Sequence, residues 1–429
     1  MDGPKAVPLL VGDRAQLQGH DSRVSGNMSK TNGAIVGRRK RSVKSTQEGN
    51  TMTRREWLAM VAATPLAKAA PQSEASARSA PAAPVAIAKA VSYDDDVTAS
   101  LKTMFDQLGG IESLVKNKTV TVKLNLTGAP TNGVNGRPPQ FSHWAHPAVA
   151  GAAAYLFGRA GARRVRFVES GANTTVPLEE FISKADWDVK ALQNAAKVVE
   201  FENTVNLGKG KKYVRMQVGP GAYMFPAWDV NQVYAETDVF VSMAKLKNHG
   251  ICGVTLSMKN LYGCTPASIY GSDAGEDAPN ESPKTSRGAV GHMGTRAPSK
   301  SSPGELAFGA NHDPGYRMPR VISDLVAAMP IHLAIIDGIE SMAGAELPRA
   351  GTRLVKPGVL IAGMNPVCTD TVAAAVMGYN PRASRGAPGF PKCDNQLVLA
   401  EQRGLGTCDL KRIDVRGVSI EQALYKYDA

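Results

Sequence analysis

Residues 119–126 read TVTVKLNL, with apolar side chains at every second position and polar side chains between them. This period of two is typical of a β-strand. Further along the chain, the alanine-rich segment from Pro147 to Gly161 begins with proline and has the composition of a helix, and Arg164–Glu169 shows a strand pattern again. A strand, a helix and a strand in this order predict a βαβ unit with two parallel strands.

The alternation of strands and helices continues on both sides of this unit. Asp94-Asp95-Asp96 is predicted to cap a helix whose apolar residues recur at helical spacing until Gly109-Gly110. The remaining predicted elements are strands over Val239–Met243, Leu333–Asp337 and Val359–Gly363 and a helix over Thr369–Met377. We therefore expect an α/β fold with a mainly parallel sheet and helices on both faces. The pattern leaves open whether this fold forms two lobes around a crevice.

Residues 52–70 have the pattern of a twin-arginine signal peptide. Arg54-Arg55 precedes Trp57–Ala67, an apolar run that is too short to span a bilayer. Ala67-Lys68-Ala69 supplies the small residues that a signal peptidase requires, so we predict cleavage after about Ala69. We expect the twin-arginine translocase as a partner during export, a periplasmic or other extracytoplasmic location, and no transmembrane anchor.

The signal peptide divides the chain into segments of different character. The predicted segments are a disordered extension (1–51), the signal peptide (52–70), a linker (71–92) and one domain (93–420) with a long polar, lid-like insertion (266–319). Because signal peptides begin close to the arginine pair, Met52 is a candidate for the true start of translation. Residues 1–51 are then a misassigned extension.

The positive charge of the chain is concentrated near its beginning. The formal net charge is +12, and residues 1–51 contain nine basic and four acidic residues. Aromatic residues do not interleave with the basic run at 38–41, and no nucleic-acid-binding pattern follows it. We therefore expect no nucleic-acid partner.

Polar side chains follow the predicted strands at their carboxyl ends, where ligands bind in parallel sheets. These residues are Lys123 and Asn125, Glu169 and Ser170, Lys245, Lys247 and His249, and Asp337. Any one of them also has a structural explanation, such as a turn or a solvated side chain. Their recurrence at one edge of the sheet predicts a shared site.

The densest group of polar residues lies between Lys245 and Gly263. Its lysine and asparagine donors suit an anionic group such as carboxylate or phosphate, so we expect a small anionic ligand. His249 belongs to the residue type that transfers protons or binds metals near neutral pH. The alternative is a solvated basic loop.

Several motifs of the domain are similar to those of a known family. They are Lys123-x-Asn125, His146-Pro147, Lys245 to His249, Thr255 to Gly263, Ile336-Asp337-Gly338-Ile339 and Gly363 to Ala374. In this order, over residues 94–417, they resemble the bacterial and archaeal domain of unknown function 362. The resemblance implies a fold and a set of recurring residues, but no agreed reaction. Asp370 matches the family pattern, whereas Asn365 and Cys368 stand where relatives commonly have an acidic residue and an alanine.

These observations define a candidate set of site residues. We predict His249, Lys247 and Lys259 as catalytic residues. The predicted substrate-binding residues are Lys123, Asn125, His146, Lys245, Asn260, Asp337 and Asp370. For Asp370, a role as the N-cap of its own helix is an equal alternative.

The absence of common motifs argues against several classes of metal site and enzyme. The five cysteines form no CxxC pair, so no iron–sulfur or zinc motif is present. The sequence also lacks a P-loop, a dinucleotide-binding glycine motif, a serine-hydrolase elbow and a zinc-protease motif. The sequence leaves open whether the protein binds a metal ion or an anionic cofactor. We interpret the chain as an exported enzyme of unknown reaction; the alternative is a non-catalytic periplasmic binding or scaffold protein for an anionic ligand.

A chain that starts at Met52 tests the export signal. Expressed in a bacterium with a twin-arginine translocase, it should be cut after about Ala69 and recovered outside the cytoplasm. The double substitution Arg54→Lys and Arg55→Lys should keep the protein in the cytoplasm, as cell fractionation and N-terminal sequencing would show. Retention of the unsubstituted Met52 chain in the cytoplasm would contradict the prediction.

Overall fold

The computed structural model describes residues 80–279, 282–283 and 286–428. The predicted extension, the signal peptide and the first part of the predicted linker lie outside these residues. The strands are β1 (Val85–Lys89), β2 (Thr119–Lys123), β3 (Arg164–Glu169), β4 (Val199–Asn203), β5 (Tyr213–Gln217), β6 (Ala227–Asn231), β7 (Val239–Lys245), β8 (Asn248–His249), β9 (Gly253–Val254), β10 (Leu333–Gly338), β11 (Ser341–Ala343), β12 (Arg353–Val355), β13 (Val359–Gly363) and β14 (Val415–Gly417).

Helices alternate with these strands along most of the chain. They are α1 (Val97–Gln107), α2 (Glu112–Val115), α3 (Pro147–Arg159), α4 (Leu178–Ser183), α5 (Val189–Gln193), α6 (Leu256–Asn260), α7 (Ala267–Tyr270), α8 (Pro314–Ala328), α9 (Pro366–Val376), α10 (Gln396–Gln402) and α11 (Ile420–Ala423). Within the described ranges, no helix combines the length and the apolar character of a membrane span.

An eight-stranded sheet forms the centre of the fold, in the order β14-β1-β13-β10-β7-β2-β3-β4. Strands β10, β7, β2, β3 and β4 are all parallel to their neighbours in this series. Strand β13 is antiparallel to both of its neighbours, β1 and β10. The prediction of an α/β fold with a mainly parallel sheet is confirmed. The remaining strands form three separate two-stranded hairpins.

Each face of the sheet is covered by its own hydrophobic core. Successive residues of β10 show this division, because Ile335 packs with one core and Ile336 with the other. The first core includes residues of α1 and α3, and the second includes residues of α8, α9 and α10. Because helices cover both faces, even the polar positions of β2, Thr121 and Lys123, are buried.

The predicted boundaries of the first helix agree with its local chemistry. The side chain of Asp96 accepts a hydrogen bond from the backbone N–H of Ala99 at 2.8 Å, which satisfies a donor at the start of α1. After the helix, Gly109 and Gly110 adopt φ values of 98° and 86°, a conformation that L-residues other than glycine rarely take. The helix therefore starts and ends where its sequence signals predict.

The prediction of a linker over residues 71–92 is wrong for Val85–Lys89. This segment is β1, and it lies inside the sheet between β13 and β14. Its residues are a short apolar run that follows Pro81 and Pro84, and so its composition resembles that of the linker. The C-terminal boundary at residue 420 is also too early, because the buried Tyr427 donates a hydrogen bond to the carbonyl of Leu246 at 2.5 Å.

The described part of the polar insertion, residues 266–319, is attached to the domain by a buried ion pair. The guanidinium of Arg317 lies 2.6 Å from a carboxylate oxygen of Glu305, and both side chains are almost fully buried. Arg317 also donates to the carbonyl of Val290 at 3.1 Å. One side chain thus connects helix α8 with two separate parts of the insertion.

Removal of this buried cation should destabilise the fold. We expect Arg317→Met to lower the free energy of unfolding by about 3–5 kcal/mol, because Glu305 is then buried without a counter-ion. Lys300→Met is a matched control from the same segment, since Lys300 pairs with Asp277 on the surface and water screens that pair. Denaturation by urea measures both effects; equal small losses would contradict the expected role of Arg317.

Candidate functional site

The carboxyl ends of β2, β3, β7 and β10 meet at one edge of the sheet, since these strands are parallel neighbours. Most of the predicted site residues lie on these ends or on the segment that follows β7. Hydrogen bonds connect them into groups that are mostly buried. The structure therefore brings the candidate residues together, but it gives them different partners.

Lys123 is the centre of the first buried group. Its Nζ donates to Oε1 of Glu169 at 2.5 Å and lies 3.4 Å from Oδ1 of Asn260. The amide of Asn260 donates to Oγ of Ser242 and to the carbonyl of Lys123, each at 3.1 Å. A side chain at position 263 would crowd this group, because a Cβ atom there would stand 2.8 Å from Nζ of Lys123. Lys123 and Asn260 thus have internal partners that occupy most of their polar atoms.

Lys245 and Asp337 form the second buried group, with no exposed side-chain surface. Nζ of Lys245 donates to Asp337 and to the hydroxyl of Tyr93, each at 2.8 Å. The same carboxylate accepts the backbone N–H of His146 at 3.0 Å. The backbone N–H of Lys245 lies 3.4 Å from Oδ1 of Asn125. This group holds four of the predicted binding residues, and each of them has a structural partner.

The ring of His146 stacks on Tyr93, with 3.5 Å between the ring centroids and an angle of 8° between the planes. Its Nδ1 accepts the backbone N–H of Ala148 and caps α3. Burial, with a smaller contribution from the positive charges of Lys245 and Arg137, lowers the pKa of His146 to about 2. His146 is therefore neutral at physiological pH and serves as a helix cap.

Lys247 differs from Lys123 and Lys245 because no carboxylate pairs with it in the described residues. Its Nζ donates to the carbonyl of His143 at 2.7 Å, to the carbonyl of Glu346 at 3.1 Å and to Oγ1 of Thr127 at 3.4 Å. Burial lowers its pKa to about 7, and nearby lysines add to the effect. A lysine with this pKa exchanges its proton near neutral pH.

His249 has its Nδ1 occupied by the backbone. This atom accepts the N–H groups of Ile251 at 3.1 Å and Cys252 at 3.2 Å. Nδ1 therefore carries no hydrogen, and the hydrogen of the neutral ring is on Nε2. Burial, followed by the charge of Lys259, lowers the pKa of His249 well below its usual value, so the ring stays neutral.

This geometry does not fit a metal ligand. A histidine that binds a metal through one nitrogen normally donates a hydrogen bond from the other, whereas Nδ1 of His249 accepts two. In the part of the chain that the structure describes, no three His, Cys, Asp or Glu side chains cluster in a way that could hold a metal ion.

Lys259 is the least compensated cation of the site. It is only partly buried, and its Nζ lies 4.9 Å from the centroid of the Tyr262 ring. Among the described residues, no carboxylate or carbonyl accepts a hydrogen bond from it. Burial lowers its pKa, and the positive charges of Arg287 and Lys123 lower it further. The ammonium of Lys259 therefore has no counter-ion among the described residues.

Arg287 is a site residue that the sequence did not indicate. Its Nη1 donates to Oγ of Ser170, after β3, and to the carbonyl of Thr265, each at 2.8 Å. No described carboxylate forms an ion pair with it. It belongs to the insertion, whose glycine- and serine-rich composition gave no signal that one arginine would extend to the strand ends.

Asp370 has a role that neither sequence interpretation anticipated. The N-cap of its own helix, α9, is Asn365, so the N-cap interpretation is wrong. Its carboxylate instead accepts Oγ–H of Ser257 at 2.5 Å and the backbone N–H groups of Ser257 and Met258 at 2.9 Å each. These donors belong to the first turn of α6, the helix that carries Lys259. Asp370 therefore holds that helix in place.

A depression of about 670 Å³ lies next to the segment that follows β7. Of the predicted site residues, only His249 lines it. Its other walls come from the hairpin of β11 and β12, from the Gly386–Lys392 loop and from the C-terminal Tyr427 and Asp428. This depression therefore does not contain the other candidate residues.

The pKa of Lys247 predicts a measurable dependence of stability on pH. Its folded-state pKa of about 7 lies below the unfolded value of about 10.4, so between these values the unfolded chain binds the extra proton. The free energy of unfolding should therefore rise with pH from 7 to 10, by up to about 1.4 kcal/mol per unit for this group. Lys247→Met should remove this part of the slope in urea denaturation, and the exposed Lys190→Met should not. Identical slopes for all three proteins would contradict the prediction.

Comparison with known proteins identifies the family to which the chain belongs. The family model described as "Domain of unknown function (DUF362)" matches residues 120–375, more than half of the chain. No curated protein matches the sequence. The matched region contains β3, β7 and β10, β2 from Val120 onward, and every predicted site residue. The chain belongs to the domain of unknown function 362 family.

Proposed function

We propose that this protein binds a small anionic ligand at the carboxyl edge of its sheet, with Lys259 as the main cation and Arg287 beside it. The observation that carries the proposal is the uncompensated ammonium of Lys259. An anionic ligand would supply this partly buried ammonium with the counter-charge that the described residues do not provide. Carboxylate and phosphate groups are the common anions of this kind.

The other lysines of the edge explain why the ligand should bind at Lys259. The charge of Lys123 is balanced by Glu169, and the charge of Lys245 by Asp337. Carbonyl and hydroxyl oxygens take the donors of Lys247. Among the described residues, Arg287 has neutral acceptors only, so its positive charge adds to that of Lys259.

Two functions are compatible with such a site. An enzyme is favoured by Lys247, whose pKa of about 7 suits a general base or acid at neutral pH. A binding or scaffold protein is favoured by His249, because its Nδ1 is occupied and cannot accept a proton from a ligand. An anionic cofactor would bind through the same cations as a substrate.

We also propose that the protein works outside the cytoplasm after export by the twin-arginine translocase. Arg54-Arg55, the apolar run and the small residues before the predicted cleavage site support this proposal. Since this translocase carries folded proteins, a ligand bound at Lys259 would travel with the protein.

Anion binding can be measured by calorimetry with inorganic phosphate and with succinate. Lys259→Met and Arg287→Met should each weaken binding of the preferred anion by about tenfold or more, since hydrogen bonds to charged groups contribute about 1.5–3 kcal/mol. Lys190→Met, which removes a lysine from the surface of α5, should bind like the unsubstituted protein.

Unchanged affinity in both site variants would contradict the proposal, and so would the absence of binding by either anion. Native mass spectrometry of the exported protein then separates the two functions. A molecule that remains bound and unaltered indicates a binding protein, and a molecule that is converted on incubation indicates an enzyme.

A further inference from the structure

The depression beside His249 has the dimensions of a binding site for an organic molecule. Its volume of about 670 Å³ lies within the range of about 300–1,000 Å³ that is typical of ligand pockets. A single inorganic ion would leave most of this space to water. Neither Lys259 nor Arg287 lines the depression, so its lining shares no cation with the anion site of the proposed function.

The charged side chains of the depression are mostly positive. Lys392 is exposed, and no described carboxylate pairs with it. The side chain of Arg349 is 52 % exposed, and its closest carboxylate contact is Glu346 at 3.9 Å. Asp428 is the only acidic residue among the described residues of the lining, and it accepts a hydrogen bond from the hydroxyl of Tyr379 at 2.8 Å. The lining therefore favours an anionic ligand.

His249 gives the depression a hydrogen-bond donor with a fixed direction. The N–H groups of Ile251 and Cys252 hold Nδ1 as an acceptor, and so the hydrogen of the ring is on Nε2. No described residue accepts a hydrogen bond from Nε2. His249 is one of the residues that line the depression, so a ligand oxygen there is a candidate acceptor for the Nε2–H group.

Glycine residues leave much of the lining without side chains. They are Gly250, Gly253, Gly344, Gly351, Gly386 and Gly389. At Gly351 and Gly386 a Cβ atom would have no other atom within 4 Å, so a ligand can approach the backbone closely at these two positions.

We infer that this depression is a second ligand site, which binds an organic carboxylate through the charges of Arg349 and Lys392 and the Nε2–H donor of His249. The site does not depend on the proposed function, because it shares neither Lys259 nor Arg287 with it. The ligand is an organic polyanion, since the volume exceeds that of a bare ion and the cations have few internal partners.

Citrate is a suitable probe for this site, and calorimetry on the purified full chain measures its binding. The double variant Arg349→Met/Lys392→Met should bind citrate at least about tenfold more weakly than the unsubstituted protein. Lys411→Met, another exposed lysine, is the matched control and should bind citrate unchanged. Lys259→Met should weaken phosphate binding if the proposed function is correct, and it should weaken citrate binding by less than the double variant does.

Nitrogen NMR of histidine side chains provides a direct measurement at His249. The spectrum should show hydrogen on Nε2 in the free protein, and citrate should shift this signal. An unchanged affinity in the double variant, or no citrate binding at millimolar concentration, would overturn the inference. Loss of citrate binding in Lys259→Met alone would overturn it too, because citrate would then occupy the other site.

Discussion

The ion pair between Lys245 and Asp337 is the contact on which the arrangement of the site depends. The two residues lie side by side in register on β7 and β10, and neither is exposed. A buried ammonium or carboxylate without its partner is strongly unfavourable, so the two strand ends must stay together. Asp337 also binds the hydroxyl of Tyr93 and the backbone of His146. One carboxylate thereby fixes the segment before α1, the start of α3 and the edge of the sheet.

Local sequence signals predicted five of the eight strands of the central sheet and the edge where polar residues meet, but they missed β1, β4 and β14. The alternation of apolar and polar residues around Lys123 predicted a strand, and Asp96 and Gly109 predicted the two ends of a helix. Both signals are local, because periodicity and capping depend on neighbouring residues. The partners of the lysines could not be predicted in this way. Glu169 and Arg287 reach the site from distant parts of the chain, and only the folded sheet shows which lysine each one approaches.

The lysines at this edge of the sheet differ in how their positive charges are compensated, and the sequence motif does not show this difference. Lys245 and Lys247 lie two residues apart, yet the first is balanced by a carboxylate and the second by neutral oxygens. The sequence motif also does not show the role of Asp370. Its carboxylate accepts hydrogen bonds from α6 and does not cap its own helix, α9. A dense motif therefore indicates an important region, and the partners of each side chain decide which members remain available to a ligand.

The position of β1 has a consequence for the order in which the chain acquires its structure. This strand leaves the ribosome before every other strand described above, but its two neighbours are β13 and β14, near the opposite end of the chain. Its hydrogen-bonding partners do not exist until β13 and β14 have been synthesised. Contacts of such large sequence separation form slowly. The first strand of the sheet must thus wait for strands that are made long after it, and the sheet can close only when β14 has left the ribosome.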